Sequence, residues 1–528
     1  MIDKDETAGG WGWPPSSKRM VWVFIILGIL LRLRQYLFDR SLWLDESMLA
    51  LNIIRRSPAE LLKPLDYAQA APLGFLWLEK LAVNHFGTSE MALRLVPLIC
   101  GIGSVLLFAV VARKLLPPSA VAIAVGLFSV SEPLIYYSSE VKQYSSDVAF
   151  ALILYLAAMP LFEVSSRIAG ALIIAVVGGI AIWFSNPTAF ILAGLGLSAF
   201  WISARKRDQR ALLALLIPAA VWSSSFLVYY IFFLRDVVTV HRDLFFFWKG
   251  AFAPFPPFSS GDMLWYASTF VNILSYPMGP LFPGIAAVAA VMGVTKLHAG
   301  NQGRLLILLS PMAVTLMASW ARWYPFENRL LLFMIPAIIL LFAAGLESIH
   351  ATAGKTLPLL SVLFVGFLLL YPFLRGVWHF AKPKGVEEIK APLEYVEKHR
   401  SRGDILYCYY GAVPALEYYT RRGLISPVDE VIGVDTHQQW AGYQQDLSKL
   451  RGQKKVWILF SHIWRNNGAD EEVLFLNYLD MLGSRLDSIQ ATGASAYLYD
   501  LSASGPSRSS STVRPGALHP GIGEGAPR

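Results

Sequence analysis

The chain has 528 residues, with 45 Lys and Arg against 37 Asp and Glu for a formal charge of +8. Hydrophobic residues make up 55% and charged residues only 16%, and the mean hydropathy is +0.48. A soluble domain carries about 25% charged residues, so this composition excludes a water-soluble enzyme of this size and also a disordered or fibrous chain. A polytopic membrane protein is expected. Cys100 and Cys408 lie far apart in unlike surroundings and build neither a disulfide framework nor a cysteine-based metal site. The basic residues sit between apolar runs, which is the pattern of topology signals and gives no reason to expect a nucleic-acid partner.

Eleven apolar runs approach the roughly 20 residues that cross a bilayer: 20–38, 93–111, 121–137, 148–164, 168–184, 189–202, 212–234, 281–294, 305–320, 331–346 and 357–377. Lys18 and Arg19 precede the first run as in a signal peptide. Arg32 and Arg34 come late in that run, where a cleavage site would need small residues, so an uncleaved anchor is expected. With residues 1–19 in the cytoplasm, the short turns on that side carry Arg113, Lys114, Arg167, Arg205, Lys206, Arg207, Arg210, Lys296, Arg304 and Lys355. That obeys the positive-inside rule. The loops 39–92 and 235–280, and everything after 378, then face outward.

The first outer loop opens with LWLDES (42–47), so Asp45 and Glu46 stand where the first span leaves the membrane. Leu49, Ile53 and Ile54 against Asn52, Arg55 and Arg56 give amphipathic helical spacing. Ser57, Pro58 and Glu60 form a capping-box pattern, and two short surface helices are expected here. On local sequence alone Asp45 reads equally as a helix cap or a reactive carboxylate. The third span ends in SSEVKQYS (138–145), which gathers Glu140, Lys142 and Tyr144 at the same boundary, with Asp147 just beyond. Interfacial anchoring is the plain reading of such groups, but this density exceeds what anchoring needs. His241, Arg242 and Lys249 lie in the second outer loop, and Arg322, Glu327, Asn328 and Arg329 open the tenth span. The aromatic stretch 244–258 reads as an interfacial belt or as a lid over a site.

From about 380 the composition turns polar. The stretches 403–411 and 454–462 read as buried strands, and 413–422 and 470–482 as helices, so 380–501 is expected to form a small outer α/β domain. Its polar loop 461–468 is a place where binding residues gather. Residues 502–528 read as a disordered tail. The membrane part is then 20–379. The spans are nearly free of ionisable groups, whereas a transporter needs them near the midplane. Carboxylates beside fixed cations at the boundary suit an enzyme that works on a lipid phosphate.

Five stretches together resemble the GT-C membrane glycosyltransferases: LWLDES, AQAAPLGFLWLEKL (68–81), MALRLVPLICG (91–101), SSEVKQYS and YPFENRLLLFMIP (324–336). The branch they resemble includes the bacterial aminoarabinose transferases, the protein O-mannosyltransferases and the lipopolysaccharide-core transferases of rhizobia. The resemblance covers roughly 20–380. It implies a many-span fold with a small outer domain, in a bacterial inner membrane, taking a sugar from a polyprenyl phosphate on the periplasmic face. The acceptor would be an envelope lipid, glycan or protein. By this resemblance Asp45 matches the family's acidic residue after the first span, with Glu46 beside it, and Glu140 best matches the acidic position after the third, with Asp147 second. Lys142, Arg329 and Tyr144 would hold the donor phosphate. One departure stands out: relatives carry Lys or His before the PPLG-like turn, whereas Ala70 and Ala71 precede Pro72 here, so the phosphate grip must come from elsewhere. A single inverting displacement needs one carboxylate base, for which Asp45 is the candidate. No cofactor is expected, and Asp45 with Glu46 does not decide for or against a divalent metal. The rival classes are a transporter or flippase, and a lipid-linked oligosaccharide polymerase or ligase.

Overall fold

The computed structural model describes residues 15–162, 167–240, 247–278, 283–300, 302–427, 429–436, 439–466 and 468–502. The expectations for His241, Arg242, the first fourteen residues and the tail after 502 lie outside them. The chain divides into two compact units, Met1–Glu388 and Ile389–Arg528.

The first unit is helical. Among the described residues, eight helices are long and apolar enough to cross a membrane, and a bent pair makes a possible ninth. The protein is thus a multi-pass membrane protein, and all eleven apolar runs fall on helices. Three of the runs are not straight full-length crossings. The run 121–137 is the bent pair, Pro118–Val130 and Glu132–Ser139, with 55° between its halves. The run 168–184 yields only the shorter helix Ile168–Ala181, and 281–294 lies in Pro283–Gly300, which is not among the eight. The stretch 235–280 is more than a loop, because it holds the helices Arg235–Val240 and Ser260–Met278.

Two local features explain how these helices assemble. Pro283–Gly300 and Ile335–Ala353 cross with their backbones in contact. A Cβ on Gly293 would collide with the Leu341 carbonyl, and one on Gly345 with that of Ala289, so glycine is required for the close crossing. At the bend, Arg32 of the first span is buried and donates to the carbonyls of Phe128 and Ser129 at 3.5 and 3.3 Å, and to Gly28 at 3.0 Å. Carbonyls freed by a broken helix have no water to turn to in an apolar surround, and the guanidinium takes that place.

The second unit is an α/β layer. Its strands are β1 (Ile405–Cys408), β2 (Glu430–Ile432), β3 (Val456–Ser461), the short pair β4 (Arg465–Asn466) and β5 (Ala469–Asp470), then β6 (Ser484–Ala491) and β7 (Ala494–Asp500). The main sheet runs β2-β1-β3-β7-β6, with β1 parallel to β2 and β3, and β7 antiparallel to β3 and β6. Helices Val413–Arg421 and Glu471–Leu482 form over the expected stretches. The core gathers Tyr407, Tyr409, Phe460, Phe475 and Tyr497. Its acids are tied to phenol hydroxyls. Glu471 accepts from Tyr409, from Tyr410 at 3.1 Å and from Tyr443 at 3.0 Å. Tyr407 donates to Asp446 at 2.9 Å, and Tyr499 to Asp480 at 2.7 Å.

Candidate active site

The helix Leu44–Arg55 begins shortly after the first span, and Trp43 stands at its N-cap without a side-chain cap bond. Asp45 therefore does not cap it. Neighbouring helical residues point about 100° apart, and this separates Asp45 from Glu46 into two environments.

Glu46 faces inward and is fully buried. Its carboxylate accepts from Arg40 Nη1 at 2.6 Å, Arg94 Nε at 2.9 Å, Arg94 Nη2 at 2.8 Å and the Val141 backbone N–H at 2.9 Å. Burial alone would raise its pKa, but the charges of Arg40 and Arg94 outweigh burial and hold the carboxyl below its ordinary range. Arg40 also donates to the Ser139 carbonyl at 2.9 Å, and Arg94 to the carbonyls of Arg40 and Ser41 at 2.8 and 3.1 Å. The cluster joins the first loop, the second span's entry and the 138–143 turn.

Asp45 faces the other way and is partly accessible, at 21% side-chain exposure. Its Oδ2 lies 2.8 Å from Arg329 Nη2 and 3.8 Å from Lys142 Nζ. The Arg329 guanidinium sits among the rings of Trp43, Tyr144 and Trp248, at 5.5, 5.8 and 5.9 Å from their centroids. Lys142 is nearly buried and donates to Gln69 Oε1 at 2.5 Å. Burial lowers its pKa and Asp45 opposes that fall, while Arg329 adds to it; the balance is downward. Tyr67 and Ala68, which lead into Gln69, are both left-handed, with φ of +61° and +49°. Non-glycine residues adopt this region at a cost, and such strain concentrates at functional sites.

Glu140 lies between the two environments. It is fully buried, and among the described residues neither carboxylate oxygen meets a hydrogen-bond partner. Burial and then the Glu46 charge push its pKa up to about 7, against the pull of Arg40, Arg329 and Lys142. A carboxyl poised there changes charge near neutral pH.

Asp45, Lys142, Tyr144 and Arg329 therefore converge, Glu140 is within electrostatic range of them, and Glu46 belongs to a separate arginine cluster. Gln69, Arg40, Arg94, Trp43 and Trp248 complete the surroundings and were not singled out from sequence. Gln69 and Arg94 do lie within the stretches AQAAPLG and MALRLVP. Among the described residues no three His, Cys, Asp or Glu side chains converge as metal ligands. Asp45 faces two cations on the side where a divalent ion would need further oxygen donors, so the donor set does not fit one.

The chain matches no family model, and no curated protein sequence matches it. Solved structures do. ArnT from Cupriavidus metallidurans bound to undecaprenyl phosphate superposes with a TM-score of 0.52 at 12% identity, over 90% of this chain and 97% of that one. The same protein in the apo state gives 0.52 at 13% identity, over 93% and 100%. The apo oligosaccharyltransferase of Archaeoglobus fulgidus gives 0.53 at 11% identity, over 95% and 76%. Both proteins have the GT-C fold, and so does this chain.

Proposed function

We propose that this protein is a glycosyltransferase that takes a sugar from a polyprenyl phosphate and passes it to an envelope lipid, glycan or protein, with inversion. Its site would face the periplasm of a bacterial inner membrane. The observation that carries the reading is the Arg329–Asp45–Lys142 group, two cations and a partly accessible carboxylate where three spans end. Likeness of fold to a protein crystallised with undecaprenyl phosphate supports it.

In this reading the donor phosphate lies against Arg329 and Lys142. The acceptor oxygen attacks the anomeric carbon as the bond from that carbon to the phosphate oxygen breaks. The acceptor proton passes to Asp45, and the carrier leaves as a phosphate monoester with one more negative charge. Fixed cations stabilise that developing charge without a proton transfer. Trp43, Tyr144 and Trp248 keep the Arg329 guanidinium oriented for it. Glu46 holds the loop and the 138–143 turn together through Arg40 and Arg94, and is a positioning group. Glu140 adjusts the field around the cations. No cofactor enters the scheme.

The test is transfer by the purified protein in lipid. Sugar should move from a polyprenyl phosphate donor and not from a soluble nucleotide sugar; use of the nucleotide sugar would overturn the reading. A flippase would move lipid without forming a covalent product, and an oligosaccharide ligase would transfer a preassembled chain. The second unit is proposed to assist acceptor binding and to supply no reacting group. Its removal belongs after Glu388, because Glu387 and Glu388 accept from the backbone N–H groups of Leu44 and Ser41 within the first unit. Donor binding should survive that truncation while transfer falls.

A further inference from the structure

Beside Arg329 lies a cavity of about 180 Å³ that the phosphate grip does not use. Helix Ser260–Met278 forms one wall with Trp265, Ser268, Thr269, Asn272 and Tyr276, and Glu327 stands on the other. The cavity and the grip share a rim. Asn328 lines the cavity and directly precedes Arg329, and its left-handed backbone, φ +39°, turns the chain between them. The Tyr276 hydroxyl donates to that of Tyr137 at 3.3 Å, and the Tyr137 ring meets the Tyr144 ring edge-on beside the Arg329 guanidinium. Whatever the cavity holds therefore lies next to whatever Arg329 binds.

The lining defines the occupant. Aromatic faces alternate with a hydroxyl, an amide and a carboxylate, and among the described residues the Thr269 hydroxyl and the Asn272 amide make no hydrogen bond. Glu327 accepts from Asn328 Nδ2 at 3.1 Å through one oxygen. An isoprenoid tail would leave such groups buried and unpaired, at a cost. A sugar ring has apolar C–H faces for the aromatic rings and hydroxyls that both donate and accept. The volume equals about six waters at ~30 Å³ each, and is well below the ~300 Å³ at which drug-sized pockets begin. That is room for one ring. Glu327 is the one acidic side chain in the lining, and no lysine or arginine accompanies it. Arg329, which adjoins the cavity, is committed to Asp45 and to the donor phosphate, so a sugar carboxylate would face Glu327 and compete with that phosphate for the one guanidinium.

We infer that this cavity receives a single donor sugar ring that bears no negative charge, with Asn272, Thr269 and Glu327 selecting it. The inference rests on the glycosyl-transfer reading and adds the class of sugar. The test measures binding to the full-length protein in nanodiscs. The probes are undecaprenyl phosphate, bare or esterified with glucose, galactose, mannose, a hexuronate or a dihexose. At least one neutral hexose should bind about tenfold tighter than the bare lipid, the worth of one well-made buried hydrogen bond. The hexuronate and the dihexose should bind no tighter than the bare lipid. Asn272→Leu and Thr269→Val should each reduce the hexose advantage and leave bare-lipid binding unchanged. Tighter binding of the hexuronate or dihexose than of every hexose, no hexose advantage, or an advantage untouched by both variants would overturn the inference. Arg329→Ala separates the two readings: bare-lipid binding that survives it would sink the phosphate grip itself.

Discussion

The two units surround key carboxylates in different ways. In the membrane unit Arg40 and Arg94 hold the buried Glu46, while Arg329 and Lys142 flank the partly accessible Asp45. In the sheet unit the buried Glu471 and Asp446 accept from tyrosine hydroxyls, Asp446 from Lys449 as well. A phenol satisfies an acid without adding charge, and burial with the Glu471 charge pushes the Tyr443 hydroxyl up so that it keeps its proton. Two cations around one carboxylate leave a net positive charge, which an anion can join. On the proposed function, this difference assigns the reacting groups to the first unit.

The strongest way to break this contrast is Asp45→Asn. Loss of a proton acceptor should reduce turnover about 10²–10⁴-fold, with expression and donor binding kept, as read by initial transfer rate and lipid binding in the same preparation. Near wild-type turnover would leave Asp45 as a mere partner of Arg329. Next comes Arg94→Met, which removes two of the four contacts on the Glu46 carboxylate and leaves a buried charge with less compensation. A loss of about 3–5 kcal/mol is expected, seen as lower yield and melting temperature, and the wild-type value would show that the cluster is not structural.

Glu140 supplies a sharper test because it has no hydrogen-bond partner among the described residues. Its folded pKa of about 7 lies above the ordinary carboxyl value. The folded state therefore favours the protonated form, and stability is lost as pH rises from about 4.5 toward and through 7. Glu140→Gln removes this dependence, so its stability, read by thermal melting, should gain on wild type more at pH 8 than at pH 5, by up to ~3 kcal/mol. An equal difference at both pH values would place the titration elsewhere. The smallest effect belongs to the sheet unit. Tyr443→Phe removes one of several hydroxyls on Glu471 and should cost about 1 kcal/mol, visible in chemical denaturation, with donor binding unchanged.

Much of the membrane unit was legible because bilayer thickness imposes a length on every apolar run. Asp45, Lys142, Tyr144 and Arg329 were legible because ionisable residues at span ends are few and share a side. Glu46 was not distinguishable from Asp45 by adjacency. Its fate depends on helix rotation and on Arg94, 48 residues away. The cavity was hidden because helix Ser260–Met278 lies inside what composition presents as a loop. In the second unit β6 escaped notice because most of its residues are polar, and only its pairing with β7 defines it.

The 55° bend after Val130 has a consequence for how a substrate arrives. It turns the chain ahead of Glu140 and Lys142, and the proposed function requires the grip to lie at the level of the lipid phosphates and not on a stalk above them. A carrier anchored by its isoprenoid tail can then reach Arg329 by lateral diffusion, searching a plane instead of a volume. Encounter frequency would follow the number of carriers per unit of membrane area, whatever the volume of fluid outside. Diluting the protein with extra lipid should slow transfer, and diluting it with buffer should not.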